Sequence, residues 1–92
     1  MTKKELIDEV WNRIDEYGRN DIACAVEIVF DAVKDSLMRG ERVELRGFGV
    51  FTVKDRQPRR GRNPKTGADV PVPAKRIPFF KVGKDLKAMV DN

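Results

Sequence analysis

Histidine is absent from the 92 residues, and Cys24 is the only cysteine. The commonest general acid–base near neutral pH is therefore missing. One cysteine cannot close a disulfide within the chain, and without Cys/His clusters no zinc site can be assembled. No glycine-rich phosphate loop precedes a helix, and the carboxylates interleave with Lys and Arg as solvated faces. The chain is not expected to be an enzyme, and neither a metal nor a cofactor is expected. Aromatics are scarce, at 8 %. Trp11 and Tyr17 fall within the first apolar repeat and read as core. No apolar run reaches the roughly 20 residues that cross a bilayer, and no signal or transit segment is evident. A cytoplasmic location with no membrane partner is the expectation. Cys24 lies among apolar residues on a predicted helix, where a small buried thiol is expected.

Charge, by contrast, is abundant: 37 % of residues are charged, with a net charge of +4. The first forty residues carry nine acids and six bases, whereas residues 41–92 carry six acids and thirteen bases. The cationic face therefore belongs to the second half, which points to an anionic partner. With 40 % apolar residues in so short a chain, a self-sufficient core is marginal. A second chain would complete it.

Thr2 and Glu5 form a T-x-x-E capping box. Leu6, Ile7, Val10, Trp11, Ile14 and Tyr17 then recur at helical spacing, which predicts a helix near 3–17 with Gly18 as its stop. Asn20 is the candidate cap of a second helix. Ile22, Val26, Val29, Phe30, Val33 and Leu37 make one apolar stripe, and Ala25, Ile28 and Ala32 a second beside it. One stripe suffices for a surface helix, so two imply burial on two sides, as in a dimer core. Gly40 ends this helix. A helix-turn-helix reader fits poorly, because Asp21, Glu27, Asp31 and Asp35 make the second helix acidic.

From Arg42 the period becomes two. Val43 and Leu45 alternate with Arg42, Glu44 and Arg46, predicting a strand. Gly47-Phe48-Gly49 marks a tight turn or close backbone approach. The next strand sets Phe48 and Val50 on one face and Phe51 and Val53 on the other, so it needs cover on both sides. Ile77, Phe79 and Phe80 form a return strand whose Pro78 suits an edge. A short helix with Leu86, Met89 and Val90 on its apolar side closes the chain.

Residues 54–76 carry Lys54, Arg56, Arg59, Arg60, Arg62, Lys65, Lys75 and Arg76 against only Asp55 and Asp69. Pro58, Pro64, Pro71 and Pro73 forbid a helix and a central strand. Asn63-Pro64-Lys65-Thr66-Gly67 is turn chemistry. The prediction is a two-stranded basic ribbon tipped by Pro64, with arms of roughly 25 Å at about 3.3 Å per residue. Its cations would neutralise phosphates, and its prolyl tip would offer a rigid apolar wedge. The same residues also fit a solvated loop in which Pro64 only shapes a turn.

Gly47-Phe48-Gly49-Val50-Phe51 and Gly61-Arg62-Asn63-Pro64-Lys65-Thr66-Gly67 resemble the bacterial histone-like HU and integration host factor family, and the resemblance runs essentially end to end. It implies an α+β fold: a helical hairpin base, an antiparallel three-stranded sheet with a protruding ribbon arm, and a short C-terminal helix, in an intertwined dimer. Residues 1–92 would form one DNA-binding domain. Residues 1–40 would serve dimerisation, and 41–92 would supply sheet, arm and terminal helix. The expected dimer core is Val26, Val29, Phe30, Val33, Phe48, Val50, Phe51 and Phe79. The family's intercalating proline falls on Pro64. Its DNA contacts fall on Lys3, Arg46, Gly47, Arg56, Arg59, Arg60, Arg62, Asn63, Lys65, Lys75, Arg76, Lys81, Gly83 and Lys84. Glu44-Leu45-Arg46-Gly47 and Pro58–Pro64 look like an integration host factor β subunit, whereas Asp69–Arg76 looks like the α subunit or HU.

The implied function is an architectural, nucleoid-associated protein that bends double-stranded DNA through the minor groove, largely without sequence specificity. Its partner would be a second copy of itself or a related family subunit. A sequence-preferring integration host factor subunit in a heterodimer is the alternative. From another class, an RNA-binding module is disfavoured, because residues 54–76 contain no aromatic to stack on unpaired bases. An arm-swapping protein-interaction domain is disfavoured by the arm's lack of apolar surface.

Overall fold

In the computed structural model, helix α1 spans Lys3–Arg13 and is capped by Thr2, whose hydroxyl oxygen accepts from the Glu5 amide at 3.2 Å. The same hydroxyl donates to the Glu5 carboxylate at 3.2 Å. The structure describes the backbone of residues 1–56, 59–62, 65, 67, 69–72 and 75–91, and the side chains of 1–56, 65, 67 and 75–91.

Helix α1 stops four residues short of the predicted end. Ile14 leaves the helical region (φ −126°, ψ 85°) while its amide still donates to Val10 and Trp11 carbonyls at 3.0 and 3.2 Å. Asp15 and Glu16 would sit at the negative end of the helix dipole, where carboxylates are unfavourable. The Trp11 indole instead donates to the Tyr17 carbonyl at 3.1 Å and folds the chain back. Trp11 and Tyr17 are 40 % and 57 % exposed, against the core role expected of them. Apolar spacing alone did not distinguish a ring that tethers a turn from one that fills a core.

Helix α2 spans Arg19–Met38. Gly18, expected to end α1, starts α2: its carbonyl accepts from Asp21 and Ile22 at 3.1 and 3.2 Å. Asn20 therefore lies inside the helix rather than at its cap. Ile7 on α1 meets Ile22 and Val26 on α2 in a small core edged by Leu6, Val10 and Ala23. The Arg19–Asp8 ion pair at 2.8 Å and a Lys3–Glu27 ion pair join the same two helices. Cys24 is exposed, contrary to expectation. It is two residues from both Ile22 and Val26, roughly 200° around the helix and so on the far side. The end of α2 is a glycine-terminated cap. Gly40, at φ +79°, donates to Leu37, and Glu41 donates back to Ser36 at 2.9 Å.

Met1–Asp35 and Ser36–Asn92 form two compact units. In the second, β1 (Val43–Leu45), β2 (Gly49–Arg56) and β5 (Lys75–Val82) build an antiparallel sheet in the order β1-β2-β5. A second, two-stranded sheet pairs β3 (Arg59–Arg62) with β4 (Asp69–Val72) in the register Arg59↔Val72 through Arg62↔Asp69. Pro78 occupies the edge strand β5, as its missing N–H requires. Between β1 and β2, Phe48 donates to Leu45 at 2.9 Å around Gly47 at φ +82°. Gly49 is buried against β5: a Cβ there would lie 2.5 Å from the Phe80 ring. Helix α3 (Lys84–Val90) follows Gly83, whose amide donates to the Phe48 carbonyl at 2.9 Å.

Candidate nucleic-acid interface

The register of the three-stranded sheet sorts its side chains onto two chemically different faces. Cross-strand partners share a face, and successive residues alternate. The pairs Phe51↔Phe80, Val53↔Pro78 and Asp55↔Arg76 define one face. The pairs Val50↔Lys81, Thr52↔Phe79, Lys54↔Ile77 and Arg56↔Lys75 define the other.

The first face is apolar at the body of the sheet. Phe80 meets Phe51 at 4.7 Å and Phe48 at 5.4 Å between ring centroids. Phe48 belongs to the turn, not to β2, so it escapes the alternation expected of it and joins Phe51 instead of Val50. The expected dimer-core contributors from the sheet are thereby divided. Phe48 and Phe51 cluster with Phe80, which the sequence reading left out. Val50 and Phe79 lie on the opposite face. Two adjacent phenylalanines in one strand must point apart, and only the register shows which way.

The second face is cationic. Lys54, Arg56, Lys75 and Lys81 lie on it, with Glu44 brought alongside by its pairing with Val50. Arg42 is paired with Glu44 at 3.2 Å. A shallow groove of about 500 Å³ runs over Val50, Thr52, Lys54, Phe79 and Lys81 to Lys84. The Lys54 ammonium stands 3.8 Å from the Phe79 ring centroid, a cation–π contact.

The predicted DNA-contacting residues fall into distinct settings. Arg56, Lys75, Lys81, Gly83 and Lys84 gather on or beside the cationic face, and Arg46 and Gly47 form the adjoining β1–β2 turn. Arg76 is set apart. Its guanidinium lies 3.7 Å from Asp55 and donates to the Met38 carbonyl at 3.4 Å, on the face away from Lys54. That hydrogen bond satisfies a carbonyl at the end of α2, a structural task that charge counting does not reveal. Lys3 lies in the helical unit and holds the Glu27 carboxyl below the usual carboxylate range, chiefly through their hydrogen bond. Lys65 is exposed. Arg59, Arg60 and Arg62 belong to β3, but their side chains, like all of Asn63 and Pro64, lie outside the described residues. The sequence reading counted Lys54 among the ribbon cations but not among the named DNA contacts, and it missed Arg42 and Thr52 as members of this face. Their even numbering, just before β1 and along β2, was the available signal. Among the described residues no acidic or Cys/His cluster is suited to a metal, and no helix is long and apolar enough to cross a membrane.

A cationic sheet face, with a two-stranded ribbon of basic sequence inserted between β2 and β5 along the chain, defines a nucleic-acid-binding module. Residues 1–91 match the sequence model of the family described as bacterial DNA-binding protein, and the chain belongs to that family. It is 48 % identical to integration host factor subunit beta of Dechloromonas aromatica, over 100 % of this chain and 98 % of that one. It is 46 % identical to the same subunit of Saccharophagus degradans, over 100 % and 94 %. Among solved structures, an Anabaena HU–DNA cocrystal superposes with a TM-score of 0.84 at 32 % identity, covering 98 % of this chain and 97 % of the other. An HU mutant from Thermotoga maritima gives 0.71 at 28 % identity, covering 98 % and 99 %.

Proposed function

We propose that the chain acts as an architectural protein, a dimer that lays its cationic sheet faces along duplex DNA and bends it with its arms. The observation that carries this reading is the row Lys81, Lys54, Arg56 and Lys75, which runs along one sheet face to the end of β2 and the start of β5. Such a row follows a phosphate backbone and releases counterions on binding. In this reading Arg59, Arg60, Arg62 and Lys65 enter the minor groove. Asn63 and Pro64 form the tip, and Pro64 wedges between base steps, as is known of minor-groove architectural proteins such as HU and integration host factor. Residues 1–92 act as one DNA-binding domain, with no catalytic role, in the cytoplasmic nucleoid.

The dimer is supported by apolar surface that each unit leaves uncovered. Ile28 and Val29 on α2 are 62 % and 60 % exposed, and Phe48 in the sheet unit is 46 % exposed. A second chain of the same kind would cover them.

The test is end-to-end energy transfer on a mixed-sequence duplex titrated with the protein alone at several salt concentrations. The expected result is approach of the ends and an affinity that falls steeply with salt. Pro64→Ala should reduce the bend while leaving the salt slope intact. Unchanged bending in that variant would make Pro64 a turn former and nothing more. A second reading, a sequence-preferring subunit of a heterodimer, is favoured by the 48 % identity to integration host factor β subunits. In that case the protein alone binds without bending, and a related subunit with a specific site restores the bend.

A further inference from the structure

Phe79 stands apart from the other aromatic rings of the sheet. Phe48, Phe51 and Phe80 pack on one another across one face, whereas Phe79 lies on the cationic face, 43 % exposed. Its cross-strand partner is Thr52, so it has no ring to pack against there. The charged side chains that line the groove with it are all cationic. Lys54 lies over the ring, and Lys81 and Lys84 line the same groove with no carboxylate partner among the described residues.

We propose that Phe79 is a stacking site for an unpaired base of single-stranded DNA. The apolar strip of Val50 and Phe79 forms the floor of the groove, and Lys54, Lys81 and Lys84 take the flanking phosphates. An aromatic ring on an open sheet, bordered by cations, has the parts that single-stranded nucleic acid requires: a π-face for the base and a positive track for the backbone. Stacking tolerates any base, so the site needs no base-edge reader. Bases inside an intact duplex are already stacked and cannot offer a face to Phe79. The site therefore acts only where strands are unpaired, and duplex contact on the same face needs only the cations. Lys54 changes role on binding: its ammonium leaves the ring for a phosphate, and the base takes its place over Phe79. This inference rests on the DNA-binding reading above and assigns the same face a second ligand.

The experiment compares fluorescence polarisation of a labelled oligothymidine with that of a labelled blunt duplex, using the full chain and Phe79→Leu. One lost stack should weaken oligothymidine binding about tenfold, while duplex affinity and bending stay within about twofold. Unchanged oligothymidine binding, or equal losses on both probes, overturns the site. Phe79→Trp supplies a direct readout. Its added indole emission is quenched by oligothymidine and not by the blunt duplex, beyond any change at Trp11. Absence of that quenching also overturns the site, whatever the Leu variant does to folding. Failure of the unaltered protein to bend the duplex would instead overturn the architectural reading and leave the stacking result to be judged separately.

Discussion

Gly49 shows how one missing side chain shapes the sheet. A Cβ at this position would lie 2.5 Å from Phe80 Cζ and 2.6 Å from the Lys81 carbonyl oxygen. A ring can swing away, but the backbone of a paired strand cannot. Gly49→Ala should therefore cost about 1–3 kcal/mol, the usual range for overpacking, read as a lower denaturant midpoint with an unchanged slope. Full retention of stability would mean that β5 shifts freely at Lys81. Glu27 makes a second residue-scale case. Its carboxyl is held below its ordinary value first by the hydrogen bond from Lys3 and then by the charges of Lys3 and Lys34. A carboxyl depressed in the folded state contributes stability above its unfolded pKa, about 4.3. That contribution is lost as pH falls through the folded value. Glu27→Gln should therefore lower stability slightly and evenly at neutral and alkaline pH, converge with the parent at low pH, and so flatten the acid-side loss. A pH–stability profile identical to that of the parent would show that the pair contributes nothing. The effect is small, because both side chains are about half exposed.

At the scale of elements, the end of α2 and the start of β5 are tied by one residue. The Arg76 guanidinium donates to the Met38 carbonyl and sits so close to Gly40 that a Cβ there would meet it at 2.6 Å. Gly40 also holds φ +79°, where an L side chain is strained by roughly 1–2 kcal/mol. Arg76 contacts the end of α2 from the opposite sheet face, whereas Lys81 lines the cationic groove. Lys81→Ala should flatten the salt dependence of duplex binding by about 0.9 in the log–log slope, and Arg76→Ala by clearly less. Equal changes would return Arg76 to the DNA footprint. Much of this was legible beforehand. The cap at Thr2, the glycine stop at Gly40, the strand alternation from Arg42 and the ribbon pairing all follow from local chemistry. The failures share a cause. The end of α1 is decided by a Trp11–Tyr17 hydrogen bond, and the side taken by Phe79 by strand register. Each is a specific pairing that periodicity and composition do not encode.

At the scale of the whole molecule, the question is what covers the apolar surface that the chain leaves open. Only Ile7, Ile22 and Val26 form a buried apolar core among the described residues. Such a core cannot offset the chain entropy of ordering 92 residues, at roughly 1–2 kcal/mol each for the backbone alone. Phe30, Leu45, Phe80 and Val82 all remain more than a third exposed, each on an element that is otherwise regular. Regular elements with bare apolar faces are what one chain of an obligate dimer presents when considered by itself. Folding and association should then be a single reaction, so the melting temperature should rise with protein concentration. Dilution should remove helical signal and dimer mass together. Thermal melts by circular dichroism over a wide concentration range, paired with sedimentation, test this. A monomeric mass with full helical content, and a melting temperature indifferent to dilution, would mean that three buried side chains hold the fold unaided, and the second chain would lose its place in the structure.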